Sequence, residues 1–191
     1  MSLFKKEKNV KIIDTGTNLP EVTIEQELRF ISEKDRFISN NIKTQSHRTG
    51  NIIYGCQSVN AQVKPEFRRQ TTDYDIYSKK PKHDAIELEQ KIDRHVNANI
   101  AQVRQVSYER EGKKGKMYRV ELKNFDNLAD YNKMPKEKIK TVKIGGVKYM
   151  ALGESEKKYM KIIDDNYVER LPNATNDLQR IQLDRFWRKV F

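Results

Sequence analysis

Two aspartates lie two positions apart in the segment TTDYDIYS, residues 71–78, whose threonine, tyrosine and isoleucine content is typical of a β-strand. On a strand, side chains two positions apart share one face and lie about 7 Å apart. Asp73 and Asp75 therefore point together, while Tyr74 and Ile76 face the apolar side. Two carboxylates this close repel each other unless a cation lies between them, and such a pair can hold one or two Mg²⁺ ions. The alternative is a solvated strand end that neighbouring basic residues neutralise.

A second group of candidate residues begins eighteen positions upstream of Asp73. The run NIIYG predicts a short buried strand that ends in a tight turn, and CQSVNAQV can begin a helix directly after it. Gly55 permits a close backbone approach and Ser58 offers a hydroxyl, so these two residues can hold phosphate oxygens. A phosphate-binding turn that faces a metal-binding pair would form a nucleotide site. The alternative is an ordinary strand-to-helix turn, in which Gly55 only satisfies backbone geometry.

Basic residues near these segments are further candidates. Arg68 and Arg69 precede the strand with the two aspartates and can clamp phosphates, although a basic loop tip is an equally good interpretation. Lys113, Lys114 and Lys116 lie at a predicted hairpin tip, where they can contact a nucleic-acid backbone as point charges.

The overall charge also favours an anionic partner. The 191 residues include 38 lysines and arginines and 27 acids, a net charge of +11. Residues 112–148 contain eleven basic and four acidic residues, a local excess of +7. Such a concentration favours binding to RNA, DNA or nucleotide phosphates. The alternative interpretation is a lysine-rich solvated loop.

The cysteines, the histidines and the hydrophobic segments of the sequence argue against a disulfide-stabilised protein, a histidine metal site and a membrane span. Cys56 is the single cysteine, which excludes an intramolecular disulfide framework and fits a reducing compartment. His47, His83 and His95 share no metal-ligand spacing. No segment approaches the roughly 18 apolar residues of a membrane span. We therefore expect an intracellular protein, cytoplasmic or nuclear, that does not bind a membrane.

Hydrophobic periodicity predicts an α/β (α+β) fold in one domain, residues 23–191, after an N-terminal arm, residues 1–22, that can add an edge strand. A capping box of Thr23 and Gln26 begins a helix over about residues 24–39. A strand, a helix, a strand and a helix follow, and then two hairpins with glycine-containing turns and two C-terminal helices.

The segments IIYGCQSVN and TTDYDIYS together resemble the signature of the polymerase-beta-like nucleotidyltransferase superfamily. That signature is a strand, a glycine turn with a nearby serine, a helix, and then D-x-D on the next strand. The order of YGCQSVN, DYDIYS, MYRV, NLADYNKMP and VKIGGVKYMAL is similar to that in nucleotidyltransferases and poly(A)-polymerase-like proteins of large DNA viruses. The resemblance spans residues 54–183. It implies a nucleotidyltransferase-like mixed sheet flanked by helices, and a viral protein located in the infected host cell or the virion.

Residue by residue, the resemblance implies a metal-dependent nucleotidyltransferase. Such an enzyme moves a nucleoside monophosphate from a nucleoside triphosphate to a hydroxyl, here with RNA or another nucleic acid as the acceptor. Gly55 and Ser58 would hold the triphosphate, and Asp73 and Asp75 would bind Mg²⁺ or Mn²⁺.

A third carboxylate on a neighbouring strand would also bind metal and activate the acceptor hydroxyl. Asp130 in NLADYNKMP is the candidate, with Glu121 in YRVELK as its rival. Cys56 departs from the family pattern, which usually has glycine or serine after the turn glycine. The chain length suits a small transferase or a subunit of a larger assembly, so a partner subunit or a homo-oligomer is expected.

The sequence is compatible with two other functions. Glu121 and Lys123 form a Glu-x-Lys pair of the kind that restriction-type metal nucleases use. Alternatively, the chain is a nucleic-acid-binding or assembly protein that keeps the transferase fold without its chemistry.

Overall fold

The computed structural model describes residues 7–110, 113–124 and 126–190. The helices of these residues are α1 (Ile24–Thr49), α2 (Cys56–Asn60), α3 (Pro81–Val96), α4 (Leu152–Asp164) and α5 (Leu171–Val190), with a 3-10 turn at Pro65–Phe67. The strands are β1 (Glu7–Ile13), β2 (Ile52–Tyr54), β3 (Tyr74–Ser78), β4 (Ala101–Arg110), β5 (Lys113–Leu122), β6 (Asn127–Lys133), β7 (Thr141–Ile144) and β8 (Val147–Met150). None of the helices in these ranges has the length and apolar character needed to cross a membrane.

The strands form a mixed sheet in the order β1-β4-β5-β6-β3-β2-β8-β7. β3 runs parallel to β6 and β2 runs parallel to β8, whereas the other neighbouring strands are antiparallel. Strand β3 is therefore central, between β6 and β2; it contains Asp75, whereas Asp73, which the sequence placed on the same strand, directly precedes it.

Helices α1 and α3 cover one face of this sheet. The main hydrophobic core lies between these two helices and the sheet. It includes Phe30, Ile42, Leu88 and Ile92 from the helices and Ile53, Ile76, Val120 and Tyr131 from the strands. Tyr74 and Ile76 of β3 face this core, as their alternation with the acidic residues predicts. Asp75 and Tyr77 consequently lie on the opposite face of the sheet.

The C-terminal helices pack around the short helix α2. Val59 and Val63 pack with Tyr159 of α4 and Ile181 of α5 in a second hydrophobic cluster. Asp184 of α5, which is buried, accepts a hydrogen bond of 2.9 Å from the backbone N–H of Lys64. These contacts fix the segment that follows the turn after β2.

The first helix is longer than the sequence predicts. It continues past residue 39 to Thr49, because Ile42, Gln45 and Ser46 on the same face are buried. Gly50 ends the helix in a left-handed conformation, with φ of 71°. The predicted edge strand of the N-terminal arm is confirmed, since β1 pairs with β4 at the edge of the sheet.

Two buried carboxyl groups on α3 accept hydrogen bonds, one from the N-terminal arm and the other from the start of β4. Glu89 and Asp93 are 2% and 0% exposed. Glu89 accepts a hydrogen bond of 2.8 Å from Thr15 Oγ1, and Asp93 accepts the backbone N–H groups of Ile100 and Ala101. Burial above all, together with the adjacent carboxylate of Asp93, raises the pKa of Glu89 to about 7.

We expect Glu89→Gln to stabilise the protein above neutral pH. Glu89 holds its proton more tightly in the folded than in the unfolded chain, so its contribution to stability is complete below about pH 4 and is lost as pH rises through about 7. Glutamine stays neutral, and the gain at pH 8 should be on the order of 2 kcal/mol. Thermal unfolding between pH 5 and pH 8 measures it, with the exposed Glu66→Gln as the control. An equal shift at both pH values would contradict the prediction.

Candidate active site

A glycine bend brings the backbone of the β2–α2 turn onto Asp75. Gly55 has φ of 70° and ψ of −152°, a conformation open almost only to glycine. A β-carbon added to Gly55 would collide with Asp75 Oδ2 and lie 3.2 Å from its Cγ. The turn thus lies directly against the carboxylate of β3, as a close backbone approach requires.

Strand register places a second carboxylate beside Asp75. In the parallel pair of β3 and β6, Asp75 lies opposite Asp130, and in the antiparallel pair of β2 and β3 it lies opposite Tyr54. Neighbouring strands are about 4.8 Å apart, and residues in register share a face. Tyr54, Asp75 and Asp130 therefore form one row across three strands.

The electrostatic environment of Asp75 favours its protonation. The pKa of Asp75 is raised to about 6: burial is the largest cause, Lys158 and Arg170 oppose the rise, and Asp130 and Asp73 add to it. Within the described ranges the Asp75 carboxylate has no hydrogen-bond or ion-pair partner. A divalent cation at this carboxylate would stabilise its ionised form.

Asp130 is held by an arginine. Arg119 of β5 donates from Nε to Oδ1 at 2.9 Å and from an Nη atom to Oδ2 at 3.1 Å. The fork occupies one lone pair on each oxygen, and a carboxylate offers about four. Asp130 therefore keeps acceptor positions toward Asp75.

The rival acid Glu121 lies elsewhere on β5. It is 4% exposed and accepts hydrogen bonds from Gln102 at 2.8 Å and from Arg104 at 3.1 Å. Lys123, its partner in the Glu-x-Lys pair, donates to Glu21 at 3.0 Å. The structure thus brings Asp130, and not Glu121, next to Asp75.

Asp73 lies just before β3 and is half-buried. Its Oδ1 accepts a hydrogen bond of 2.7 Å from Thr71 Oγ1. Its negative charge contributes to the raised pKa of Asp75. The structure therefore places Asp73 near enough to Asp75 for the two carboxylates to interact.

Aromatic side chains form one wall of the site. The rings of Tyr54 and Tyr77 stack with centroids 3.9 Å apart, and Lys158 Nζ of α4 lies 4.0 Å from the centre of the Tyr54 ring. Asn132 donates to the Tyr54 hydroxyl at 2.9 Å. Burial, followed by the charge of Asp75, raises the pKa of Tyr54, so this hydroxyl stays protonated.

Ser58 and Cys56 follow the glycine bend on α2. Ser58 is fully buried, and its hydroxyl donates to the carbonyl of Met150 at 2.7 Å. Burial raises the pKa of Cys56, and Arg180 donates to its Sγ at 3.7 Å. The Ser58 hydroxyl therefore connects α2 to β8 in this structure and does not point away from the protein.

The two arginines before β3 have different surroundings. Arg68 is exposed. Arg69 lies 3.3 Å from buried Asp177 of α5, and the Asn60 side chain bonds both its backbone N–H and its carbonyl. Arg69 thus fixes the loop that leads to Asp73.

The predicted nucleic-acid lysines begin β5. Lys114 and Lys116 are exposed, whereas the side chain of Lys113 lies outside the described residues.

In the described part of the chain, one group of three potential metal ligands lies within 4.8 Å: His83, Asp84 and Glu87 at the start of α3. Asp84 already accepts from Asn51 and Ser78, so this group has a structural role. Asp73, Asp75 and Asp130 are not drawn together as closely.

Several residues at the site have no local signal in the sequence. Lys158 lies in α4 and Arg170 is the last residue before α5, both far from Asp75 along the chain, and Arg119 lies in an ordinary alternating strand. In the sequence, only the positive charge of these three residues indicates that they bind a phosphate or a carboxylate. The packing of α4 and α5 decides that two of them reach Asp75.

The comparisons with known proteins bear on the fold. The crystal structure of the Megavirus polyadenylate synthase matches 80% of this chain with a TM-score of 0.61 and 21% sequence identity. The chain spans 32% of that protein's length. A likeness at this identity shows a shared fold, and it confirms the predicted mixed sheet flanked by helices.

The crystal structure of JHP933 from Helicobacter pylori matches 85% of this chain and 93% of its own, at 10% identity and a TM-score of 0.33, which is too low to support an argument. No protein-family model matches the sequence. No curated protein matches it either.

Proposed function

We propose that this protein transfers a nucleoside monophosphate from a nucleoside triphosphate to a hydroxyl group of a nucleic acid. The observation that carries the proposal is the position of Asp75, which lies under the Gly55 bend and in register with Asp130. The fold shared with a polyadenylate synthase supports it. The net charge of +11 suits the anionic substrates and acceptor.

The carboxylates fit a divalent cation. Mg²⁺ and Mn²⁺ prefer oxygen ligands, and burial raises the pKa of the Asp75 carboxylate, whose ionised form a bound cation would stabilise. Asp73 and Asp75 would hold the ion, with Asp130 beside them. A bound ion would neutralise negative charge on the reacting phosphate and the leaving pyrophosphate.

Other residues of the chain supply positioning and charge. A side chain at position 55 would collide with the Asp75 carboxylate. Glycine there lets the backbone of the turn lie against Asp75, where the phosphates of a triphosphate would bind. Lys158 and Arg170 lower the pKa of Asp75 through their positive charges, and the same charges would attract a bound triphosphate. The resemblance of the glycine turn implies Ser58 as a phosphate ligand, which requires its hydroxyl to leave the Met150 carbonyl.

Asp130 is the proposed proton acceptor. One of its remaining lone pairs would accept the proton of the acceptor hydroxyl, while Arg119 fixes the carboxylate orientation. The hydroxyl oxygen then bonds to the α-phosphate and pyrophosphate leaves. Glu121 lies on β5, two strands away from Asp75, where it accepts hydrogen bonds from Gln102 and Arg104.

A transfer assay tests the function and the third acid together. The protein is incubated with α-labelled nucleoside triphosphates, Mg²⁺ and short RNA or DNA. We expect label in the oligonucleotide, a loss of at least about 100-fold for Asp130→Asn, and retention within a few-fold for Glu121→Gln. Circular dichroism checks that both variants are folded.

The same assay distinguishes nucleotidyl transfer from nuclease activity and from binding without chemistry. Shortened oligonucleotides would indicate a nuclease, and retarded but unchanged oligonucleotides would indicate a binding protein. Either result would overturn the proposed transfer. The reverse ranking of the two variants would make Glu121 the third acid.

A further inference from the structure

Lysines from separate parts of the sequence meet at one end of the sheet. In the parallel pair of β3 and β6, Ser78 lies opposite Lys133, and the Met134 N–H donates to the Ser78 carbonyl at 2.8 Å. Both strands therefore end side by side, so the residues that follow each of them are neighbours. Lys79 begins the segment that leads from β3 into the first turn of α3, and Lys133, the last residue of β6, begins the segment that leads on toward β7. We call residues 79–82 and 133–138 the two connections.

The two connections are rich in lysine and poor in acid. Residues 79–82 and 133–138 contain six lysines and one acidic residue, Glu137. All six are exposed, and none forms an ion pair with another described residue: Lys79, Lys80, Lys82, Lys133, Lys136 and Lys138. We call these six side chains the lysine surface. Like charges this close repel each other and are stabilised by a polyanion.

The lysine surface lies next to the candidate active site. Asp75 and Tyr77 lie on β3 and Lys79 directly follows its end, so Lys79 is at most about 13 Å from Asp75 at roughly 3.3 Å per residue. Met134 and Ile139, which lie on either side of Lys136 and Lys138, pack against the cluster that contains Tyr54. An extended strand of two or three nucleotides would span this separation.

We propose that the lysine surface binds the phosphodiester backbone of the nucleic-acid acceptor and directs its terminal hydroxyl toward Asp75 and Asp130. This inference rests on the proposed function for the identity of the bound strand as an acceptor. Lysines act as point charges on phosphates and read no bases, so binding is independent of sequence and strongly salt-dependent. The surface lacks the apolar centre that a protein partner would require.

Lys114 and Lys116, which the sequence indicated, extend the same surface. Met117 of β5 lies opposite Asn132 of β6, so the start of β5 is at the same end of the sheet as Lys133. The sequence predicted a nucleic-acid site at the start of β5, and the structure adds the six lysines of the lysine surface to it. Three of them lie 31 or more residues before Lys113, and three lie 20 or more residues after it.

A binding assay without nucleotide or metal tests the lysine surface apart from catalysis. Fluorescence anisotropy follows a labelled 20-nucleotide single-stranded RNA, and separately DNA, between about 50 and 300 mM KCl. For the triple variant Lys79→Gln, Lys136→Gln, Lys138→Gln we expect Kd to rise by at least about tenfold at 100 mM KCl. The slope of log K against log salt should fall by about two.

The matched control removes the same charge from α1. Arg29, Arg36 and Lys43 are exposed on one side of that helix, and their replacement by glutamine should change Kd by less than about twofold. An equal loss in both triple variants, or none in the first, would overturn the proposal. Displacement of the RNA by an equal charge of polyglutamate would also overturn it, in favour of an acidic protein partner.

Transfer measured on the same variants separates the two proposals. If wild-type protein transfers no label but the first variant loses RNA binding, the lysine surface stands and the transferase assignment fails. If label is transferred and the first variant keeps the wild-type KM for RNA, the lysine surface fails and the transferase assignment stands.

Discussion

Replacing Asp75 by asparagine should lower nucleotidyl transfer by at least about a thousandfold, because the carboxylate that would bind the cation is lost from the centre of the site. Asparagine has nearly the same shape, so the Gly55 bend and the strand pairing with Asp130 should persist. The transfer assay measures the loss. The control Asp35→Asn, an exposed acid on α1, should keep full activity.

The same replacement should stabilise the metal-free protein. The pKa of Asp75 is about 6 in the folded chain, above its ordinary value near 4, so ionisation of Asp75 opposes folding. The effect is complete above about pH 6 and disappears as pH falls toward 4. Because the side chain is only half-buried, we expect a gain on the order of 1 kcal/mol at pH 7.5.

Added Mg²⁺ should stabilise the wild-type protein but not the Asp75→Asn variant. A ligand that binds only the folded state raises its unfolding temperature, so Mg²⁺ should raise that of the wild type and leave Asp75→Asn unchanged. Thermal unfolding with and without Mg²⁺ at pH 7.5 measures both effects. An Asp75→Asn variant that is active, or that gains stability from Mg²⁺ as the wild type does, would contradict the metal role of Asp75.

Gly55→Ala should damage both folding and activity. Alanine at φ of 70° and ψ of −152° is strained, and its β-carbon would collide with Asp75 Oδ2. We expect a loss of about 2–4 kcal/mol in unfolding free energy. A displacement of Asp75 by about 1 Å would reduce transfer about 100-fold.

Gly16 is a suitable control for the strain alone. Its φ is also 70°, but an added β-carbon would meet no atom within 4 Å. Gly16→Ala should therefore cost about 1 kcal/mol and leave transfer unchanged. Denaturant unfolding and the transfer assay separate the two effects, and equal losses in both variants would show that the contact with Asp75 is unimportant.

These two sites show how the candidate active site opposes the stability of the fold. Asp75 has a raised pKa and no partner among the described residues, and Gly55 has a conformation that other residues avoid. A purely structural sheet would place an apolar residue at position 75, as it does at Ile52 and Met150 on the same face. Such locally unfavourable choices are typical of functional sites.

Local sequence determined much of the architecture. The alternation of apolar and acidic residues in β3 decided which face Asp75 occupies, and the glycine pair 145–146 marked the turn between β7 and β8. The capping box of Thr23 began α1 where predicted, because both of its hydrogen bonds lie within four residues. Interactions at short sequence distance are encoded by short patterns.

The sequence by itself thus determined the types of residue at the site, the bend at Gly55 and the face that Asp75 shares with Tyr77. Only the tertiary structure decided that Asp130 and not Glu121 lies beside Asp75, that Ser58 bonds Met150, and that separate lysines join at one end of the sheet. The physical reason is that strand order and register depend on contacts between residues tens of positions apart, which no local pattern specifies.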